Sequence, residues 1–470
     1  MSENAKLSAI NPEYPESGGF IKESSTDRLS EGGTALKLAP SPALRDYPSK
    51  LYVETTTRCN LGCFMCVKQT DGCGMTEGEM TPERFAALEP VFPHLESLVL
   101  NGIGEPLLNL ELEGFIRRAR RSMPAAGWIG FQSNGLLLTD SRAYSLVEAG
   151  LDKICISIDA ASPETFRKVR EGGELTAIDR AFAALAAARE CCNRPEVQLG
   201  IEFVAMRSNL GELPAALRWA ARHGASFAIV THVLPYDELH AVESAYTSCT
   251  DETIALFNDY KLEAERQEID LSRYFEARWR YARNPEEQRI VNLVDAMKNE
   301  AKRRDIFIDL KKLLQMDTGK MEEVAAVFAE AEAVASEYGL ELRLPEITLR
   351  EKRRCSFVEE GGAFVSWEGN ISPCYFLWHR YSCFASNWQQ QVQPKVFGNV
   401  EKRGILDIWN DSAFRAFREN VLAYDYPNCS SCSLAPCDYV QTEEFQHDCH
   451  IKEVPCGACL WCTGVFQCLR

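Results

Sequence analysis

Thr56-Thr57-Arg58-Cys59-Asn60-Leu61-Gly62-Cys63-Phe64-Met65-Cys66 is the stretch on which the fold turns. Three residues separate Cys59 from Cys63, and two separate Cys63 from Cys66. An iron–sulfur cube has four irons and normally takes four thiolates. Three thiolates on one short loop hold three corners and leave the fourth open to a small chelating ligand. Clustered cysteines also make zinc sites or are ordinary buried thiols, but zinc knuckles are usually built from CxxC pairs.

Working outward, the loop follows an apolar run at 51–55 that reads as a strand. Thr81 is an N-cap for a helix over 82–88, with Pro82 at its first position. Further strands are expected at 95–100, 128–132, 153–158, 198–204 and 227–233, and helices at 177–190 and 213–223. Six strands alternating with helices predict a parallel sheet with right-handed crossovers. Closed or partly closed, this is an α/β fold of the (β/α) barrel kind, with its chemistry at the C-terminal strand ends. The cysteine loop, Gly104-Glu105, Ser133-Asn134 and Ser157/Asp159 all fall at such ends.

The rest of the chain frames this core. Residues 1–48 are polar, with Gly, Ser and Pro and little periodicity, and read as a flexible lead. The barrel core is expected over 49–239. Residues 240–349 are charged and mostly helical, a connector or insertion, with an amphipathic helix at 322–338 that packs on the barrel. From 350 to 470 the chain turns rich in Cys, Gly, Trp and Tyr, and 11 of the 19 cysteines fall there. A hairpin is expected from 364–367 to 371–374, and one helix from 405 to 421. No apolar run is long enough for a membrane span, and the first residues lack a secretory h-region. The formal net charge of -17 over 470 residues argues against nonspecific nucleic-acid binding. Together these features predict a cytoplasmic protein whose tail thiols ligate metal rather than form disulfides.

The CxxxCxxC spacing resembles the signature of radical S-adenosylmethionine (radical SAM) enzymes. Gly102-Ile103-Gly104-Glu105-Pro106 resembles that family's GGEP element, with Ile103 in place of one glycine. The resemblance implies a partial (β/α)6 barrel, and a [4Fe–4S] cluster at Cys59, Cys63 and Cys66 whose open iron binds SAM. Reductive cleavage of SAM then gives a 5'-deoxyadenosyl radical. It further implies SAM contacts from backbone at Gly104, from Glu105, and from Ser133, Asn134, Ser157 and Asp159, with Arg170 on the SAM carboxylate. Met65 stands where the family usually has an aromatic residue on adenine. Taken singly, Gly104 and Ser133-Asn134 also read as turn residues and Asp159 as a helix cap.

The tail resembles the SPASM domain, a twin-cluster extension of many radical SAM maturases. Cys355, then Gly369 and Cys374, match its opening, and Cys429 with Cys432 matches its CxxC. Cys437 follows one residue short of the usual gap. Cys449, Cys456, Cys459, Cys462 and Cys468 are candidates for the remaining ligands of two auxiliary [4Fe–4S] clusters. Zinc ribbons are the alternative for CxxC pairs. Asp438 and Tyr439 sit amid these cysteines, where a local structural role outweighs a catalytic one. The final cysteine run resembles a subgroup of metalloenzyme maturases, including those associated with tungsten-dependent oxidoreductases. The resemblance implies a protein or peptide substrate of the tungsten or molybdenum enzyme kind, and an electron donor such as flavodoxin or ferredoxin. A maturase that crosslinks a ribosomal peptide and a non-catalytic iron–sulfur carrier are the alternative readings.

Overall fold

In a computed structural model, the chain is described over residues 41–70, 73, 75–385, 388–432, 437 and 445–470. Residues 1–40 of the expected lead, and Asp438 and Tyr439, lie outside the described residues. The end of that lead is not loose. Ala43 is fully buried, and its carbonyl accepts from Arg418 at 2.7 Å, while Trp409 donates to the Arg45 carbonyl at 2.8 Å. The polar composition of the segment hides this, because its anchoring runs through backbone carbonyls.

Ten strands form the large sheet among the described residues. In chain order they are β1 (Lys50–Val53), β2 (Ser97–Val99), β3 (Trp128–Ser133), β4 (Lys153–Ser157), β5 (Gln198–Ala205) and β6 (Phe227–His232), followed by β7 (Glu341–Arg343), β8 (Gly362–Val365), β9 (Asn370–Ser372) and β10 (Gly398–Asn399). The sheet order is β7-β6-β5-β4-β3-β2-β1-β8-β9-β10. The six expected strands are present, parallel and sequential, with helices such as Leu175–Cys191 and Leu213–Arg222 crossing between them. Thr81 caps its helix as expected, accepting from Arg84 N at 3.3 Å.

Two more parallel strands extend the barrel at its edges. Glu341 of β7 pairs with Phe227, and Gly362 of β8 pairs with Lys50. β8 is buried along its whole length, the continuous burial of a parallel strand covered on both faces. It also forms the expected hairpin with β9 (Val365 opposite Ile371), so the cysteine-rich tail continues the barrel's own sheet. Periodicity does not reveal which strand a short apolar run will pair with, which is why six strands rather than eight were expected.

The helix expected over 405–421 is two helices, Ile405–Trp409 and Ser412–Ala423. Asp411 breaks it by capping the second, accepting from Ala413 N. The connector is split as well. Leu256, Ile290, Val294 and Met297 belong to a hydrophobic core of their own, whereas Val324, Phe328 and Ala331 of the Thr318–Tyr338 helix pack into the barrel core.

Candidate active site

The cysteine loop leaves β1 and is held by threonines. Thr56 Oγ1 donates to the Gly78 carbonyl at 2.9 Å, and Thr57 Oγ1 donates to the Thr76 carbonyl at 3.0 Å. Lys68 Nζ donates to the Thr57 carbonyl at 2.7 Å. Gly62-Cys63 then pairs antiparallel with Arg170-Glu171, which carries the loop across the barrel mouth. His240 clamps it from the other side: Nε2 donates to the Phe64 carbonyl at 2.8 Å, and its ring stacks on Phe64 at 4.7 Å. Phe64 is thereby turned away, and Met65 lines the cavity instead.

That cavity, of about 330 Å³, is walled by the three cysteines and the strand-end residues. Gly104 lies under the cysteine loop; its N donates to the Thr56 carbonyl, and a Cβ there would stand 2.4 Å from the Arg58 carbonyl oxygen. Only glycine permits that approach. Gly102 is equally constrained, because a Cβ would meet Glu54 Cγ at 2.3 Å. Ile103 lines the cavity, so its place in the GGEP pattern is one where a side chain has room.

Glu105 is buried, and both carboxylate oxygens are engaged. Ser133 Oγ donates to it at 2.7 Å, Asn134 N at 2.7 Å and Leu107 N at 3.1 Å. Burial raises its pKa, with these donors working against the shift. It is an organiser of the 133–135 turn rather than a free acceptor. Asn134 in turn donates to Asn60 Oδ1 at 2.8 Å, joining that turn to the cysteine loop.

Ser133, Asn134, Ser157 and Arg170 line the cavity, but Asp159 does not. Its fully buried carboxylate accepts from Val204 N at 2.6 Å and pairs with Arg170 Nε at 2.5 Å. The position read as a SAM contact therefore stands behind Arg170 and aims that guanidinium. Burial raises the Asp159 pKa, and the Arg170 charge opposes that rise.

Several cavity residues carried no motif. Glu202 and His232 project from β5 and β6, Tyr375 and Trp378 come from the auxiliary segment, and Gln467 comes from the tail. Burial pushes the Glu202 carboxyl up to about 7 and His232 down to about 4. His232 is thus neutral at pH 7, with Nε2 donating to the Glu346 carbonyl at 3.0 Å. A charged residue at an inward position of a buried strand was the signal for Glu202.

Ten of the eleven tail thiols fall into three places. Cys355, Cys374, Cys456, Cys459 and Cys462 surround one small cavity, walled by Phe376, Tyr426 and Trp461. Cys429, Cys437 and Cys449 line a second, and Cys432 is close enough to raise the Cys429 thiol electrostatically. Cys468 is in neither group; it lines the barrel cavity, apart from the other thiols expected as auxiliary ligands. The chain crosses from one site to the other between Cys462 and Phe466, since Gln467 N donates to Thr231 Oγ1 on β6. Cys spacing alone does not register that crossing.

The donor sets fit iron–sulfur cubes. Burial pushes the Cys66 thiol up to about 11 and Cys355 up to about 12, and Cys374 and Cys456 are raised as well. Burial alone favours the neutral thiol, so ligation would have to displace these protons; what fits a cluster is the grouping of five thiols around one small cavity. Among the described residues no three Cys, His, Asp or Glu side chains converge on one ion-sized point.

A radical SAM superfamily profile matches residues 53–220, and the SPASM profile, an iron–sulfur cluster-binding domain, matches 355–433. The chain belongs to the radical SAM superfamily and carries a SPASM domain; it is an enzyme that binds a [4Fe–4S] cluster with SAM in the barrel and auxiliary clusters in the tail. Among curated proteins it is similar to the tungsten-containing aldehyde ferredoxin oxidoreductase cofactor-modifying protein of Pyrococcus furiosus, 26% identical over 423 residues that cover 89% of this chain and 96% of the relative. It is 30% identical over 199 residues to the GTP 3',8-cyclase of Bradyrhizobium diazoefficiens, covering 41% of this chain and 55% of that protein. A superposition on Streptococcus suis SuiB bound to its precursor peptide SuiA covers 87% of this chain and 76% of that one, at 10% identity and a TM-score of 0.47. Among the described residues no helix is long and apolar enough to cross a membrane.

Proposed function

We propose that this enzyme is a maturase that uses SAM radical chemistry on a protein or peptide, and that its target is a tungsten- or molybdenum-type oxidoreductase or its cofactor-binding region. The observation that carries this is the P. furiosus relative, whose similarity runs through barrel, connector and tail alike. The functional divisions are a lead (1–48), the barrel core (49–239), a connector (240–349) and the auxiliary domain (350–470).

In this reading Cys59, Cys63 and Cys66 hold the SAM-binding cluster, and that cluster supplies the electron that cleaves SAM. Gly104 backbone, Ser133, Asn134 and Ser157 line the SAM, Met65 packs on its adenine, and Arg170, aimed by Asp159, takes its carboxylate. Cys355 and Cys374 with the 456/459/462 thiols hold one auxiliary cluster, and Cys429, Cys432, Cys437 and Cys449 hold the other. An electron donor of the flavodoxin or ferredoxin class reduces the enzyme. A reducing cytoplasm is the compartment, because thiolates that hold iron–sulfur clusters must be kept from disulfide formation.

The test is anaerobic reconstitution, dithionite reduction and assay of 5'-deoxyadenosine, with and without the aldehyde oxidoreductase from the same cell. Turnover that rises with the oxidoreductase supports the reading. SAM cleavage indifferent to it removes the proposed target.

A further inference from the structure

A second cavity, of about 320 Å³, lies between the barrel and the connector and takes no part in the SAM site. Three cations line it: Arg207, Lys312 and Lys320. Asp317 is the single carboxylate in its wall, and that carboxylate caps its own helix, accepting from Lys320 N at 3.0 Å. Arg207 and Lys312 are tied to carbonyls rather than to close carboxylates. Arg207 Nε donates to Ser244 at 3.0 Å and Lys312 Nζ to Ser430 at 3.0 Å, while the nearest acid to Lys312, Asp309, is 3.9 Å away. The 21-residue Thr318–Tyr338 helix also points its N-terminus here. A protein of net charge -17 has thus gathered three positive side chains and a helix N-terminus around one concavity.

This concavity shares a wall with the barrel. Tyr246 lines it, and the same ring packs 5.1 Å from His232 and 6.2 Å from Phe466, both of which line the SAM cavity. We propose that the cavity bounded by Arg207, Lys312 and Lys320 binds a phosphate or pyrophosphate group carried by the substrate, as an anchor one side chain away from the reacting end. A multiply charged oxyanion is the ligand that matches three cations; a single carboxylate is satisfied by one guanidinium. The helix terminus adds donors of the same sign. Binding energy from such a remote group is available to position the part of the substrate that reacts. The inference rests on the proposed function only in requiring an external substrate.

Pyrophosphate is the probe. It is titrated calorimetrically into the full chain at low ionic strength, beside acetate, an acidic hexapeptide, and the variants Lys320→Gln and Arg207→Gln. Saturable binding at one site per chain is expected, with at least tenfold weakening in each variant and no saturable binding of acetate or the hexapeptide. No saturable binding of pyrophosphate, equal binding by Lys320→Gln, or tighter binding of the hexapeptide overturns the proposal. Because the titration needs no target protein, it stands or falls separately from the choice of target.

Discussion

At the scale of single residues, two positions carry sharp expectations. A Cβ on Gly104 would sit 2.5 Å from the Thr56 carbonyl oxygen and 2.4 Å from that of Arg58, so Gly104→Ala must push the cysteine loop off its seat. The backbone cannot yield cheaply, and overpacking of this kind costs about 1–3 kcal/mol. The variant should fold yet return from reconstitution with about four fewer irons per chain and without SAM cleavage; full iron content would show that the loop accommodates the methyl. Glu202 makes a pH prediction. Its folded pKa is raised to about 7 by burial, against about 4.3 in an unfolded chain. Between those values the folded state holds the extra proton, so the group's penalty grows as pH rises and is complete above the folded pKa. Glu202→Gln should therefore stabilise the protein at pH 8 by about 1–3 kcal/mol and give nothing near pH 4. Denaturant midpoints at the two pH values decide it; an equal gain at both would mean that the charge is not the cause. The GxGEP glycines and the cysteine trio were legible because their constraints are local in sequence. The roles of Glu105 and Asp159 were not, because only the fold shows that one carboxylate is consumed by the 133–135 turn and the other by Arg170.

At the scale of elements, the tail divides its cysteines between two sites within a few residues. Cys456→Ala should lose most of the iron of one auxiliary cluster, whereas Cys468→Ala should keep the full complement, because Cys468 lines the barrel cavity. Iron and sulfide counts on reconstituted protein separate the two, and equal losses would return Cys468 to the auxiliary ligands. Arg353 joins the two thiol groups. Its guanidinium donates to the Tyr426 carbonyl at 2.6 Å and the Pro427 carbonyl at 2.8 Å, and lies 4.3 Å over the Tyr426 ring. Gly457 meets the same junction, where a Cβ would stand 2.8 Å from the Pro427 oxygen and 3.0 Å from Cys429 Sγ. A fixed cation between two sites that gain negative charge on reduction favours reduction of both. Arg353→Gln should lower both auxiliary potentials and leave the barrel cluster's unchanged, as read by an anaerobic redox titration followed by electron paramagnetic resonance. A shift at one auxiliary site alone would deny the bridging role. CxxC spacing made metal binding visible, but the partition into two groups depends on loops that meet only in three dimensions.

At the scale of the molecule, the barrel and the auxiliary domain share one sheet, and Glu54 pins the join. Its side chain is fully buried one residue beyond β1. It accepts from His379 Nε2 at 3.0 Å, Ile103 N at 3.3 Å and Trp367 N at 3.3 Å. One carboxylate thus touches the first barrel strand, the loop that seats the cysteines and the auxiliary hairpin. Alternation of strands and helices made the barrel readable, and cysteine density made the tail readable. Their continuity through β8 was hidden, because a four-residue apolar run says nothing of its partner. His379→Ala removes the strongest donor and leaves the buried carboxylate on two long backbone bonds. A loss of about 1–3 kcal/mol follows from the unmet acceptor. Since Glu54 serves three segments, the damage should not stay at residue 379. Hydrogen exchange should quicken together at 101–106 and at 364–379, while the 285–303 helix, with its separate core, keeps its protection. Acceleration confined to 379 and its neighbours would mean that the two domains are joined by the sheet alone and that Glu54 is a local contact.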